Sequence, residues 1–351
     1  MKIRYIKIFL TVAGFTLLII DTKTATMGIQ SGIGLCLQSV IPSLLPFIIL
    51  SKYLTSQLYG IQLPFLSPLG KLCGIPEGLE SIMAVGLIGG YPIGAQLITD
   101  AWKKGICDEK TAIRMLGFCN NAGPAFIFGV CAGLFNIPCA GWLILLIQTA
   151  SSICCGIILP GKERAAGGKV TLQPITFVKN VELAIRAMIS ICSWILCFRI
   201  IISYVDHYVT MNNPILRTSL LSVLELVNGC TESNSVVSEP IRFIIVNAIL
   251  SFGGLCVWMQ TAATVSGLSM KWFCVGKITQ CIFSATFASM MQFLIYKHST
   301  IAETRLIPIL GVIIITGLFA GKIVVAFLRK MLYDKSKKHK SRWQYAVSQK
   351  Y

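Results

Sequence analysis

The run Gly89-Gly90-Tyr91-Pro92-Ile93-Gly94-Ala95-Gln96 interrupts one apolar stretch, and Asn120-Asn121-Ala122-Gly123-Pro124 interrupts the next. The second half of the chain repeats the pattern. There Glu225-Leu226-Val227-Asn228-Gly229-Cys230 is followed by Ser251-Phe252-Gly253-Gly254. Backbone that leaves the helix inside lipid exposes N–H and C=O groups with no water to bind them. That is tolerated only where the backbone is buried in protein or lines a cavity. A matched pair of such breaks, one in each half of a chain, points to a transporter's binding site.

Composition agrees with a membrane setting. Of 351 residues, 55% are hydrophobic and only 13% charged, and the mean hydropathy is +0.74. A soluble domain carries about 25% charged residues. Length alone would allow two or three globular domains, but apolar runs recur from Tyr5 to Leu328 and leave no room for one. The net charge of +17 gathers at the termini and in a few loops, where Lys and Arg mark cytoplasmic segments and anionic lipid surface rather than nucleic acid. The 14 cysteines form no C-x-x-C pair, and most lie in apolar runs as small hydrophobes. A disulfide framework is not expected. His207, His298 and His339 show no metal spacing. Thr24-Ala25-Thr26 is a poor cleavage site, so the N-terminal apolar run is expected to remain as an uncleaved first span.

Apolar length and charge placement predict an all-α polytopic membrane protein. It has about eight transmembrane helices plus two re-entrant helical hairpins in an inverted-topology repeat. Residues 1–27 form an N-terminal accessory span. Residues 28–160 form repeat unit one: a span bent at Pro42 and Pro46, a hairpin over about 81–104, a crossing helix that starts near Asp108 and runs through Asn120-Asn121, and a return span. A cytoplasmic loop follows over 161–176. Residues 177–297 form repeat unit two: a span, a second hairpin over about 214–239 on the opposite side, a span through Gly253-Gly254, and a return span. A C-terminal accessory span (298–330) and a basic cytoplasmic tail (331–351) complete the chain. Both termini are expected to be cytoplasmic.

The residues expected to bind substrate sit at the breaks. Gly89 and Gly90 permit backbone angles that side chains forbid, and Pro92 removes a donor and disfavours helix at Tyr91. Gly94 allows close packing of the second arm, and Gln96 follows on it. Asn120 and Asn121, next to Gly123-Pro124, are intramembrane amides that need partners. They serve either substrate or the carbonyls freed by Pro124. Glu225 is the most conspicuous acid in an apolar run, a candidate for coupling or substrate contact. The alternative is a pair with Arg186, Arg199, Arg217 or Arg242. Asn228, Gly229, Gly253, Gly254 and Gln260 complete the set. No Walker A loop, zinc site or nucleophile–base pair is present, so neither catalytic residues, nor metal ligands, nor a cofactor is expected, and the chain does not read as an enzyme.

Four blocks then carry a resemblance: GLIGGYPIGAQLI (86–98), FCNNAGPAFIFG (118–129), LELVNG (224–229) and FGGLCVWMQ (252–260). In this order they resemble the sporulation integral membrane protein YlbJ (SpoVV) family, nucleoside-recognition (Gate) domain membrane proteins. The resemblance implies a fold related to concentrative nucleoside transporters, with two hairpins meeting at the membrane centre. It also implies transport of dipicolinic acid, a small aromatic dicarboxylate, across the outer forespore membrane during sporulation. The chain departs from the family at Gln96, where a Lys is common, and at Cys256 and Trp258, where Ser and His are common. The Gln96 departure removes a candidate cation from an anion site.

The resulting expectation is a secondary-type transporter of a small organic anion, in the bacterial cell membrane or the outer forespore membrane. Its partners are membrane lipid, the anionic substrate and a coupling ion (H+ or Na+); a homo-oligomer stays open, and nucleic acid is not expected. The alternatives are a non-transporting sporulation scaffold and a nucleoside-type transporter.

Overall fold

The computed structural model describes residues 2–58, 64–137, 139–161 and 176–295, all within one compact unit, Met1–Thr300. Among them the chain is helical, with no strand. The helices in order are α1 (Lys2–Ile20), α2 (Thr22–Leu35), α3 (Ile41–Leu58), α4 (Ser67–Cys73), α5 (Glu80–Gly89), α6 (Ile93–Lys103), α7 (Glu109–Leu116), α8 (Pro124–Phe126), α9 (Ala140–Ile158), α10 (Phe177–Tyr208), α11 (Pro214–Leu224), α12 (Leu226–Glu232), α13 (Glu239–Phe252), α14 (Gly254–Thr264) and α15 (Lys271–Ile295). The expected C-terminal span and basic tail lie outside the described residues, as does nearly all of the 161–176 loop.

Four apolar helical stretches among the described residues are long enough to cross a bilayer: Thr22–Leu54, Ala140–Ile158, Phe177–Tyr208 and Glu239–Thr264. Helix α10 alone, at about 1.5 Å per residue, is longer than a hydrocarbon core of roughly 30 Å. Helix α1 leaves Ile6, Phe9, Phe15 and Ile19 exposed, as a lipid-facing helix would. Its junction with α2 is fixed by α10, where Tyr204 donates to the main-chain oxygen of Asp21 (3.0 Å) and Tyr208 to its carboxylate (3.1 Å). Between α2 and α3 the helix widens into a π turn at Cys36–Val40. Pro42 follows at once and has no N–H to return to the preceding turn, so the wider turn takes up the lost bond.

The breaks fall where the sequence places them, but two of the expected crossing helices are not continuous. Helix α7 begins at its expected cap, with the Asp108 carboxylate accepting from Thr111 N at 2.9 Å, and stops at Leu116. The chain is then non-helical until Pro124. Pro124 holds Gly123 extended, at φ −88° and ψ 164°, which no helix accommodates. Likewise α13 ends on Gly253 at φ 82°, a left-handed angle that a side chain would resist, and α14 starts anew. Helices α5 and α6 fold back on each other, as do α11 and α12. Lys52, in the second half of α3, donates to Gln96 of α6 at 2.8 Å. Arg217 of α11 pairs with Asp206 at the end of α10 (2.8 Å) and with Glu232 of α12 (2.9 Å).

Close packing in the first hairpin depends on absent side chains. A Cβ on Gly86 or on Gly94 would overlap the carbonyl oxygen of Cys119, so both arms press directly on the α7–α8 break. Buried polar side chains hold the rest. Gln148 of α9 donates to the Asn247 carbonyl (2.9 Å) and to Ser284 (2.9 Å), and accepts from Ser251 (2.9 Å). These bonds tie α9, α13 and α15 where apolar contact alone gives little association in lipid. Arg114 of α7 is buried and donates to the carbonyls of Leu159 (3.3 Å), Gly74 (3.2 Å), Gly156 (2.7 Å) and Cys73, clamping α4 and the end of α9. All 14 cysteines are free thiols, consistent with the absence of a disulfide framework in the sequence.

Gly94→Ala is therefore expected to destabilise the protein by about 1–3 kcal/mol through overpacking. Gly34→Ala, with open space around the added methyl, is expected to be neutral or stabilising by up to about 1 kcal/mol. Thermal denaturation of the purified variants compares the two.

Candidate functional site

The four breaks meet. Gly90, at φ 74°, packs on Gly123, and a Cβ on Gly123 would lie 2.8 Å from the Gly90 Cα. In the second half a Cβ on Gly254 would lie 2.9 Å from the Ser222 carbonyl and 3.3 Å from the Cα of Glu225. Each hairpin tip thus presses on the break of the helix that follows it. Tyr91 joins the two halves. Its hydroxyl reaches the Leu250 carbonyl at 3.5 Å, and a Cβ on Gly253 would lie 3.3 Å from the same hydroxyl.

A cavity of about 70 Å³ opens among these breaks. Of the expected binding residues its wall contains Gly89, Gly90, Tyr91, Gly123, Glu225 and Gln260. Ala122, Phe126, Ile191, Ile195 and Cys256 add apolar surface. Ordinary ligand pockets run to about 300–1,000 Å³, so the cavity in this conformation is smaller than a ligand site. Helices α6, α12 and α14 all begin beside it, and helix N-termini carry partial positive charge.

The other expected residues stand behind the wall. Asn120 is fully buried and holds the start of α6, its Oδ1 accepting from Ala95 N at 3.3 Å while its Nδ2 donates to Thr261 at 3.2 Å. Asn121 donates to the Phe118 carbonyl (2.7 Å) and to Ser152 (3.2 Å). Asn121 thus satisfies a carbonyl within the break, while Asn120 bonds to a main-chain N–H and a hydroxyl. Gly94 packs on Cys119, Gly229 packs on Ser222, and Pro92 caps α6. Gln96 accepts from Lys52 of α3, and neither side chain lines the cavity. Trp258 donates its indole N–H to the Phe252 carbonyl at 2.8 Å, satisfying an acceptor freed by the Gly253 break.

Glu225 is 1% exposed and caps α12. Its carboxylate accepts from the main-chain N–H of Val227 (3.0 Å) and Asn228 (2.7 Å) and from the Asn228 amide (2.6 Å). Among the described residues no arginine pairs with it directly. Asn228 relays to Arg199, whose Nη1 donates to Asn228 Oδ1 at 2.7 Å while Nε and Nη2 hold Ser31. Arg186, Arg217 and Arg242 are engaged elsewhere, with Glu182, with Asp206 and Glu232, and with Asn234. Beyond Asn228 lies a larger polar cavity of about 440 Å³, lined by Ser31, Gln38, Ser39, Arg199 and Glu232 among others. The Glu225–Asn228 turn is the partition between the two cavities.

Sequence reading missed Lys277. Only six residues into α15 and close to Lys271, it reads as an interfacial cation able to reach water. It is instead fully buried beneath the Asn120–Asn121 break, and its Nζ donates to the Asn120 carbonyl at 2.6 Å and to Asn121 Oδ1 at 2.9 Å.

Broken helices packed tip to break around a buried cavity, within apolar spans, define a polytopic helical membrane protein with a discontinuous-helix core. No family model and no solved structure matches the chain. The chain is similar to the sporulation integral membrane protein YlbJ of Bacillus subtilis (strain 168), 23% identical over 314 residues that cover 75% of this chain and 76% of that protein. The resemblance to the YlbJ family seen in the four motif blocks thus extends over most of the chain.

Glu225→Ala is expected to destabilise the protein by about 2 kcal/mol or more, because it uncaps α12 and strands the buried Asn228 amide. Glu225→Gln, which keeps a capping oxygen, should lose roughly half of that. Thermal unfolding in detergent measures both.

Proposed function

We propose that this protein is a secondary-type transporter of a small organic anion, built as an inverted repeat whose two hairpins enter the membrane from opposite sides. The observation that carries the reading is the convergence of four helix breaks, two from each half, on one cavity. The halves correspond in packing as well as order. Helix α3 packs on α5 and α8, and α10 packs on α11 and α14. Lys52 meets the first hairpin at one end of its span, and Asp206 meets the second at the end of α10. With the charge bias of the loops, these contacts favour hairpins on opposite faces.

Charge favours an anionic substrate. Lys277 makes no ion pair among the described residues, and the Arg199 guanidinium reaches Glu225 through Asn228. Helix α14 starts at the cavity with its N-terminal dipole toward it. The likeness to a sporulation integral membrane protein makes dipicolinate the first substrate to test. In this conformation the cavity is too small for it, so the Glu225–Asn228 partition would move for substrate to pass from the larger polar cavity.

Reconstitution tests the reading. Proteoliposomes containing the full chain are expected to take up radiolabelled dipicolinate saturably. Glu225→Gln and Asn121→Ala should each lower uptake about tenfold or more, the effect of displacing one positioned group. Folded, reconstituted protein that moves neither dipicolinate, nor a related carboxylic acid, nor a nucleoside would sink the proposal.

A further inference from the structure

The surroundings of Lys277 are unusual for a buried charge. Its three N–H bonds point to the main-chain oxygen of Asn120 (2.6 Å), Asn121 Oδ1 (2.9 Å) and Gln280 Oε1 (2.7 Å), with the Tyr91 hydroxyl at 3.4 Å. The rings of Tyr91 and Phe273 lie 5.3 and 5.8 Å from the ammonium. Every oxygen is neutral, and among the described residues no carboxylate completes an ion pair. Gln280 accepts from the ammonium while its own Nε2 is buried with no partner. The amide is turned by the cation even though its own donor goes unsatisfied, a state that proteins seldom keep.

Neutral carbonyl and amide oxygens at an unwound helix are the ligand set that membrane transporters offer to a monovalent cation. Hard cations take such oxygens in place of water. Here a side chain from α15 delivers the positive charge into the cage. We propose that Lys277 is a tethered monovalent cation, whose ammonium fills an oxygen cage at the Asn120–Asn121 break that would otherwise receive a sodium-sized ion or a small primary ammonium. It is a positioning residue. It neutralises the carbonyls freed by the break, holds Asn121 and Tyr91 in place, and makes the fold of the core independent of external sodium. This goes beyond the transport reading and stands on the cage alone.

The test is a cation-rescue experiment on the full chain in detergent, read as the thermal unfolding midpoint in choline chloride, sodium chloride and n-propylammonium chloride at equal ionic strength. Propylammonium replaces the atoms that Lys277→Ala removes, and n-propanol controls for bulk. The wild-type midpoint should not differ between choline and sodium. Lys277→Ala should unfold roughly 10 °C lower in choline and recover most of that loss, saturably, in sodium or propylammonium but not in propanol. Lys277→Met, which fills the space without charge, should be destabilised with little rescue because its side chain blocks the cage. A Lys277→Ala chain that can be purified only with sodium or propylammonium present would support the proposal equally. It is overturned if Lys277→Met keeps the wild-type midpoint in choline, if Lys277→Ala responds to neither cation or is recovered with neither, or if sodium raises the wild-type midpoint by several degrees. Absence of uptake by the folded wild-type protein, with the cation rescue observed, would overturn the transport reading and leave this one standing.

Discussion

Interrupting a helix inside an apolar interior leaves main-chain groups that water cannot reach, and the architecture of this protein is organised around satisfying them. The break in each half of the chain is met by a charged side chain, and both of these side chains come from the second half. In the first half the freed oxygens of the Asn120–Asn121 break are met by the Lys277 ammonium. In the second half the freed N–H groups at the start of α12 are met by the Glu225 carboxylate. One break is closed by a cation and the other by an anion, and Tyr91 lies between them. With both charges held by several hydrogen bonds, the cost of burying them is offset locally.

The close contacts follow from the same constraint. A break can be shielded only by another segment lying directly on it, which requires residues without side chains at the crossing points. Gly86, Gly90 and Gly94 fill this role against the α7–α8 break, and Gly254 fills it against the α11–α12 break. Two apolar clusters flank the centre. One contains Phe126, Ile144, Ile195 and Phe243, and the other Met83, Ile98, Phe118 and Phe273. The chain passes from one cluster to the other at the breaks themselves, between Tyr91 and Ile93 and between Cys119 and Ala122. The cavity therefore sits where the packing of the molecule is divided, a natural place for relative motion of the two sides.

Much of the fold was legible in the sequence because its signals are local. Apolar length marked α9, α10 and α15, the Asp108 cap marked α7, and Gly-Gly-Tyr-Pro marked the turn between α5 and α6. The crossing helices drawn through Asn120-Asn121 and through Gly253-Gly254 were too continuous. Hydropathy averages over a window and does not register that Pro124 and the left-handed Gly253 end a helix within it. At the site, Gly89, Gly90, Gly123, Tyr91, Glu225 and Gln260, named from their place in the breaks, line the cavity, whereas Gly94, Gly229, Gly253 and Gly254 do not. That Asn120 and Asn121 face Lys277 and not the cavity was not readable.

The sequence by itself determined that the chain is a helical membrane protein, where its helices are interrupted, and that the interruptions recur in both halves. These follow from composition, from proline and glycine stereochemistry, and from the intolerance of lipid for unpaired backbone. Only the tertiary structure decided which interruptions touch, and which charge answers which break. Lys277 lies 156 residues from Asn121 in the chain, and a pairing over that separation leaves no trace in local pattern. The partner of a buried charge is set by the packing of whole helices, through the requirement that its desolvation be matched at that one point in space.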